Sequence, residues 1–245
     1  MNEVVHLVNI GNVALITMED ANNKNMFTDA LMGGLANAFH TVQRQDDTRV
    51  VVISGYDNIF SAGGTKEELL KINAGKLVFT DISLYNLLLD CEVPVVAAMQ
   101  GHALGGGLAL GCFADVIVLA DESIYSANFM NYGFTPGFGS TYIIPKKFGT
   151  LLGNEMLFSG TNYFGKELKE RGAGVKVEKK KAVLNTALEI ASEIADKPKL
   201  SLTLLKSHLT QQIKVELSPF VEKEIKMHSL TFGQPEVARR INDGF

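Results

Sequence analysis

The stretch at residues 93–115 places three consecutive glycines between two apolar segments, and this pattern strongly limits the folds open to the chain. A short β-branched run at 93–98 predicts a buried strand, and residues 108–113 predict a helix too apolar to face water. The glycines at 105–107 remove every Cβ between them, so another group can approach the backbone closely. We therefore expect a strand, a sharp turn at 102–107 and a buried helix, in that order.

A second glycine turn follows another predicted buried strand. Residues 49–55 contain the β-branched run 50–53, and Gly63 and Gly64 follow them, shortly before a predicted helix at 65–72. Because the first N–H groups of a helix lack intrahelical partners, two such turns can direct two donors at one carbonyl oxygen. The alternative is that the glycines at 105–107 only let a helix and a strand pack closely. The sequence alone leaves both interpretations open.

Composition excludes several classes of protein. With 245 residues, 46% of them hydrophobic, the chain can form one sizeable α/β core, and its net charge of −4 disfavours a nucleic-acid partner. Cys91 and Cys112 lie in apolar segments without metal-ligand spacing, which predicts buried, reduced thiols. Neither a signal peptide nor a membrane span is indicated, since Pro94 and the glycines interrupt the longest apolar run. We expect a cytoplasmic protein.

Strands and helices alternate until the last third of the chain, which is helical. Gly11-Asn12 predicts a hairpin turn between strands at 4–10 and 13–18, and Thr28 is a suitable cap for a helix reaching about Gln45. The further predicted elements are strands at 115–120 and 124–129, a helix capped by Asp81 that runs through Tyr85 and Leu89, helices at 140–147, 180–196 and 201–213, and a last helix opened by Ser218-Pro219. That last helix carries a stripe of residues: Leu217, Val221, Ile225, His228 and Phe232.

Four motifs in order resemble the crotonase (enoyl-CoA hydratase/isomerase) superfamily: Phe60-Ser-Ala-Gly-Gly, Gly101-His-Ala-Leu-Gly-Gly-Gly, Ala114-Asp-Val-Ile and Gly133-Phe-Thr-Pro-Gly-Phe-Gly. The resemblance implies an α/β ClpP/crotonase-like fold, a coil of ββα units with a C-terminal helical region. It divides the chain into a crotonase core at 1–196 and a helical region at 197–245, which in the family covers the active site and builds homotrimers.

The family holds a thioester oxygen as an enolate with two backbone N–H groups, and by position these fall on Gly64 and Gly106. Hydratases of the family also use two glutamates to activate water. Their positions are occupied here by Ala109 and Phe129, so hydration by general acid–base catalysis is not expected.

A closer resemblance, to the decarboxylating crotonases of polyketide β-branching cassettes, is carried by Gly55-Tyr-Asp-Asn, Phe79-Thr-Asp, Asp90-Cys-Glu-Val-Pro and Ala127-Asn-Phe-Met-Asn-Tyr-Gly-Phe-Thr-Pro-Gly. It implies a lyase that converts a 3-methylglutaconyl thioester on an acyl carrier protein into the 3-methylcrotonyl thioester. The resemblance implies no metal or other cofactor. The substrate is carried on the phosphopantetheine arm of the carrier protein. The alternatives are an enoyl-CoA isomerase and a non-catalytic scaffold.

The candidate substrate pocket is apolar, and the candidate proton donors come from the resemblance. Phe129, Phe134 and Phe138 are expected to desolvate the substrate carboxylate. Related decarboxylases use a histidine, matched by His228, and a lysine, for which Lys76 is the nearest match.

Each of these assignments has an alternative. His228 can also be a core histidine within its stripe, and Lys66 and Lys71 are alternatives to Lys76. Lys146-Lys147 is a candidate for binding the acidic carrier protein, or the solvated end of a helix. The carbon that receives the proton is left open.

Overall fold

Two sheets carry the fold of this chain, whose computed structural model describes residues 4–77 and 84–244. The main sheet has six strands in the order β1-β2-β3-β5-β7-β10, and the smaller sheet has four in the order β4-β6-β8-β9. Their bounds are β1 Val5–Ile10, β2 Val13–Met18, β3 Val50–Ser54, β4 Ile59–Ser61, β5 Val95–Met99, β6 His102–Leu104, β7 Val116–Ala120, β8 Ile124–Ser126, β9 Tyr163–Phe164 and β10 Lys176–Glu178.

The strands confirm the predicted coil of ββα units. Strands β1 and β2 form an antiparallel hairpin, and β2, β3, β5, β7 and β10 pair in parallel. After β3, β5 and β7 the chain crosses each time into the small sheet, where β4, β6 and β8 also pair in parallel. The β-branched run of β3 is buried along its whole length, as expected for a parallel strand covered on both faces.

Ten α-helices and one 3-10 helix surround the sheets in the described ranges. They are α1 Asp29–Gln43, α2 Lys66–Asn73, α3 Tyr85–Asp90, α4 Gly106–Cys112, the 3-10 helix Asn128–Tyr132, α5 Ser140–Phe148, α6 Thr150–Ser159, α7 Gly165–Glu170, α8 Lys180–Ala195, α9 Lys199–Thr231 and α10 Pro235–Gly244. None of these helices combines the length and the apolar composition needed to cross a membrane.

Thr28 caps a helix as predicted, and Thr65 caps the next one. The Thr28 hydroxyl accepts a hydrogen bond from the Leu31 N–H at 3.2 Å and begins α1. Thr65 and Glu68 form a reciprocal capping box at the start of α2, each side chain accepting from the other's backbone N–H at 3.1 Å. This box fixes the direction of the chain directly after Gly64.

The structure differs from the prediction at residues 102–107 and 124–129. Residues 102–107 are not one turn, because His102–Leu104 pairs as strand β6 before the glycines. The predicted strand at 124–129 stops at Ser126, and Phe129 lies in the 3-10 helix. Asp81, the expected cap of the helix at Tyr85, lies outside the described residues, as does Phe79-Thr-Asp.

The helix predicted to begin at Ser218-Pro219 is the second half of α9, which runs through Pro219 without a break. Proline removes the hydrogen bond to the carbonyl four residues earlier. Pro219 and Val215 both lie on the exposed side of α9, so water can satisfy the freed carbonyl.

Both cysteines are free and buried, which confirms the prediction of buried thiols. Burial raises the pKa of the Cys91 thiol to about 11 and that of Cys112 to about 12. Both therefore stay protonated near neutral pH, and the thiolate that reactive cysteines require is not formed.

Candidate active site

The two predicted glycine turns lie side by side. A Cβ on Gly63 would stand 2.7 Å from the Leu104 carbonyl oxygen and 3.1 Å from the Gly106 nitrogen, so the turns are in direct backbone contact. Gly64 and Gly106 both line one cavity that opens to solvent. Neither N–H donates a hydrogen bond to a protein group among the described residues. This is the arrangement that an oxyanion hole requires.

The glycines at 105–107 differ in what surrounds them. A Cβ on Gly107 would stand 2.2 Å from the Ser61 carbonyl oxygen, so this glycine is needed for close packing of α4 on β4. Gly106 faces the cavity. The packing of Gly107 is what brings the Gly106 amide next to the Gly63-Gly64 turn.

The walls of this cavity are mostly apolar. Phe129, Phe134 and Phe138 are buried and line it, as the sequence predicts. Asn128 and Tyr132 supply the polar side chains, and none of the described lining residues is an acid, a lysine or a histidine. Burial raises the pKa of Tyr132, which keeps its phenol neutral. A charged group that enters this cavity therefore loses much of its hydration.

A second, smaller cavity adjoins the first, and Phe138 lines both. Phe138 has a left-handed backbone with φ of 64°, a conformation that aromatic residues seldom adopt. Its ring stacks on Phe27, with centroids 5.3 Å apart, and meets Tyr85 edge-on at 5.1 Å. Phe138 is therefore the wall between the two cavities.

His228 lies in the second cavity. Its Nε2 is 2.7 Å from the Thr135 carbonyl oxygen, and since a carbonyl only accepts, this nitrogen carries a hydrogen. Burial lowers the pKa of His228 and favours the neutral ring. The structure thus brings Gly64, Gly106 and the three phenylalanines together, and it places His228 next to them, behind Phe138.

Glu224 is a functional candidate that the sequence reasoning missed. Its side chain is 2% exposed, lines the second cavity and lies one helical turn before His228 on α9. Its carboxylate accepts hydrogen bonds from the Gly139 N–H at 2.7 Å and the Thr141 N–H at 2.9 Å, and burial raises its pKa. Residue 224 lies four positions before His228 and therefore on the same helical face. This spacing is the sequence signal that could have identified it.

Comparison with known proteins decides the family. The family described as enoyl-CoA hydratase/isomerase matches residues 9–242. The chain belongs to this family, the crotonases. The predicted family and crotonase fold are confirmed.

Several relatives of this crotonase are decarboxylases. The bacillaene synthase decarboxylase PksI of Bacillus subtilis is 45% identical over 241 residues, which cover 98% of this chain and 97% of PksI. The ECH2 decarboxylase domain of CurF from Lyngbya majuscula is 44% identical, with a TM-score of 0.96 and full coverage of both chains. A structure from a dehydratase/decarboxylase enzyme couple involved in polyketide β-branching is 45% identical, with a TM-score of 0.97, covering 99% of this chain and 96% of the other.

The three candidate lysines lie outside the aromatic cavity. Lys76 is exposed after α2, and its N–H donates to the Lys71 carbonyl at 2.8 Å. Lys71 pairs with Glu67, and Lys66 Nζ donates to the Asn242 carbonyl oxygen in α10 at 3.1 Å. Lys66 and Lys71 line an open groove beside the cavity.

Both members of Lys146-Lys147, the candidate for carrier binding, are engaged with groups of this chain. Lys146 is engaged with the Glu216 carboxylate at 2.9 Å. Lys147 points inward, where Nζ donates to the Ala114 carbonyl at 2.6 Å, and burial lowers its pKa. Neither side chain presents an unengaged charge to a partner, because the helix end that carries them packs against α9 and the core.

Proposed function

We propose that this crotonase is a decarboxylase that converts a 3-methylglutaconyl-type thioester into the 3-methylcrotonyl thioester. The observation that carries the proposal is an apolar cavity with two amide donors, in which Phe129 stands where a hydratase would hold a carboxylate. Ala109, at the other glutamate position, is fully buried in α4. The decarboxylases PksI and the CurF domain, at 45% and 44% identity, support the same reaction.

Desolvation and the oxyanion hole together supply the driving force in this mechanism. The substrate carboxylate lies among the phenylalanine rings, where its charge is poorly solvated. The bond to the carboxyl carbon breaks, CO2 leaves, and the electron pair enters the conjugated system as a dienolate. Its negative charge then reaches the thioester oxygen, where the N–H groups of Gly64 and Gly106 bind it. Each such donor contributes about 3 kcal/mol to transition-state stabilisation.

The dienolate next takes a proton on carbon, and His228 is our candidate donor. Its Nε2–H is held by the Thr135 carbonyl oxygen and burial favours the neutral ring, so Nδ1 would first take a proton from solvent and then deliver it to the dienolate carbon. The Phe138 ring stands between His228 and the oxyanion amides, so transfer requires that ring to turn or a water to bridge.

Lys76 is our candidate for orienting the substrate carboxylate or assisting the proton transfer, with Lys66 and Lys71 as alternatives. Lys66 begins α2 two residues after Gly64 and lies beside the open groove. We expect Lys76→Ala to lower kcat for decarboxylation. If Lys76→Ala keeps the full kcat and Lys66→Ala or Lys71→Ala lowers it, the role belongs to that other lysine.

The partner in this proposal is an acyl carrier protein, whose phosphopantetheine arm would enter through the open groove lined by Met26, Thr28 and Thr65. We also propose that residues 197–245 act as the region that covers the site and builds a homotrimer. Exposed leucines on α9 support this second point, Leu200 being 72% and Leu204 62% exposed in the single chain.

The reaction class is tested by incubating the protein with two pantetheine thioesters. We expect CO2 from the 3-methylglutaconyl thioester and no hydration of a simple 2-enoyl thioester. Double-bond migration without CO2 would favour the isomerase, and no turnover of either thioester would favour the scaffold.

Phe129→Gln is expected to slow decarboxylation by about tenfold or more, because the added amide solvates the substrate carboxylate in its ground state. The matched control is Met130→Gln, which places the same amide on the neighbouring, exposed residue and should leave kcat unchanged. Both rates are measured as CO2 release under saturating substrate. Equal rates for Phe129→Gln and the wild type would contradict the apolar-pocket argument.

A further inference from the structure

Helix α9 holds the loop at 133–139 at three points along one face. His228 Nε2–H donates to the Thr135 carbonyl oxygen at 2.7 Å, and the Thr231 hydroxyl lies 3.3 Å from the Thr135 N–H, whose hydrogen bond it accepts. Glu224, one turn before His228, accepts from the Gly139 N–H. Positions 224, 228 and 231 share a helical face, so one element fixes both ends of the loop that carries Phe138.

The Glu224 carboxylate uses both of its oxygens in this contact. One oxygen accepts from the Gly139 N–H at 2.7 Å. The other accepts from the Thr141 N–H at 2.9 Å and from the Thr141 hydroxyl at 2.6 Å. All three partners are donors, so this geometry needs two acceptor oxygens on a side chain of this length.

Gly139, the residue held by Glu224, directly follows Phe138. The left-handed backbone of Phe138 is an unfavourable conformation, which persists only where neighbouring contacts impose it. The rings of Phe27 and Tyr85 contact the side chain of Phe138. The hydrogen bond from the Gly139 N–H to Glu224 holds the backbone directly after Phe138.

We propose that Glu224 is a positioning residue that holds Phe138 as the wall between the oxyanion cavity and the cavity of His228. This inference rests on the proposed decarboxylase function for its kinetic consequence. With the wall displaced, the two cavities join and water reaches the substrate carboxylate. The chemical step then slows, while the groove and the amides that bind the thioester are unchanged.

The test compares Glu224→Gln with Glu216→Gln. Glutamine keeps one acceptor oxygen and presents an NH2 group to the other donor, which breaks half of the contact. Glu216 lies on the same α9 and its carboxylate also contacts α5, but through the Tyr142 hydroxyl and Lys146 Nζ and not through the Gly139 N–H. We expect Glu224→Gln to lower kcat at least about tenfold with KM within about twofold, and Glu216→Gln to change neither.

A double-mutant cycle separates positioning from general stability. In a Phe138→Ala background the wall is already absent, so Glu224→Gln should lower kcat no further. Losses that simply multiply would overturn the inference, as would an unchanged kcat in Glu224→Gln. Should Glu224→Gln fail to fold, Glu224→Asp, which keeps the charge and shortens the reach, is carried through the same cycle.

Amide hydrogen exchange tests the positioning without any turnover. The peptide covering residues 134–141 should exchange faster in Glu224→Gln than in Glu216→Gln at the same temperature. Equal exchange overturns the role of Glu224 whatever the reaction is. A wild-type protein that releases no CO2 overturns the decarboxylase proposal and leaves the exchange result to decide the role of Glu224.

Discussion

Gly63→Ala is expected to reduce kcat for decarboxylation by at least about a hundredfold, the cost of losing one oxyanion donor. The added Cβ would lie 2.7 Å from the Leu104 carbonyl oxygen and 3.1 Å from the Gly106 nitrogen. Because both neighbours are backbone atoms, they cannot rotate away, and the two glycine turns must separate. The Gly64 and Gly106 amides, which we propose bind the thioester oxygen, would then move apart. The rate is measured as CO2 release from the saturating thioester.

The matched control for this variant is Gly172→Ala. Gly172 has the same φ of 82° as Gly63, but a Cβ there meets no heavy atom within 4 Å. This control carries the backbone strain of a left-handed alanine without the separation of the turns. We expect it to lose some stability and to keep its rate. Similar rates for the two variants would contradict the placement of the oxyanion hole at this contact.

Lys206→Met is expected to lower the free energy of unfolding by about 3 to 5 kcal/mol. Lys206 is 3% exposed, and its Nζ donates to the Asp115 carboxylate at 2.7 Å and to the Leu88 carbonyl at 2.9 Å. The same Asp115 oxygen accepts from the Val95 N–H, so the lysine joins α9 to the start of β5. Methionine fills the space but leaves the partly buried Asp115 carboxylate without its cation and the Leu88 carbonyl without its donor. Urea unfolding at matched protein concentration measures the loss.

Lys214→Met serves as the control for that measurement. Lys214 lies on the same helix and pairs with Asp90, but both side chains are about half exposed. Exposed pairs contribute about 1 kcal/mol or less, so this variant should unfold close to the wild type. If Lys206→Met lost no more than Lys214→Met, the buried pair would not be what holds α9 to the core.

The parts of the fold that could be predicted from the sequence depend on local signals. The β-branched run of β3 indicates a buried strand because parallel strands covered on both faces need apolar residues at every position. Thr28 and Thr65 mark helix starts because their hydroxyls accept from nearby N–H groups. The glycine turns could be recognised in the same way, since their backbone geometry excludes most side chains.

The parts that could not be predicted depend on tertiary contacts. Ser218-Pro219 predicts a helix start by local rules, yet Pro219 lies inside α9, on its solvent-facing side. The charge of Lys147 predicts exposure, but its Nζ finds a buried carbonyl. Glu224 is charged, so the pattern of apolar residues on α9 does not indicate that it is buried. Its hydrogen-bond partners at 139–141 are distant in sequence. Sequence placed His228 at the site, but the wall formed by Phe138 appears only in three dimensions.

Intact-protein mass spectrometry of a 3-methylglutaconyl carrier protein tests the decarboxylase proposal most directly. With wild-type protein the carrier should lose the mass of one CO2. The same incubation with His228→Ala should leave most of the carrier unchanged, if His228 delivers the proton that completes turnover. An unchanged carrier mass with the wild type, or a gain of one water, would contradict the decarboxylase account.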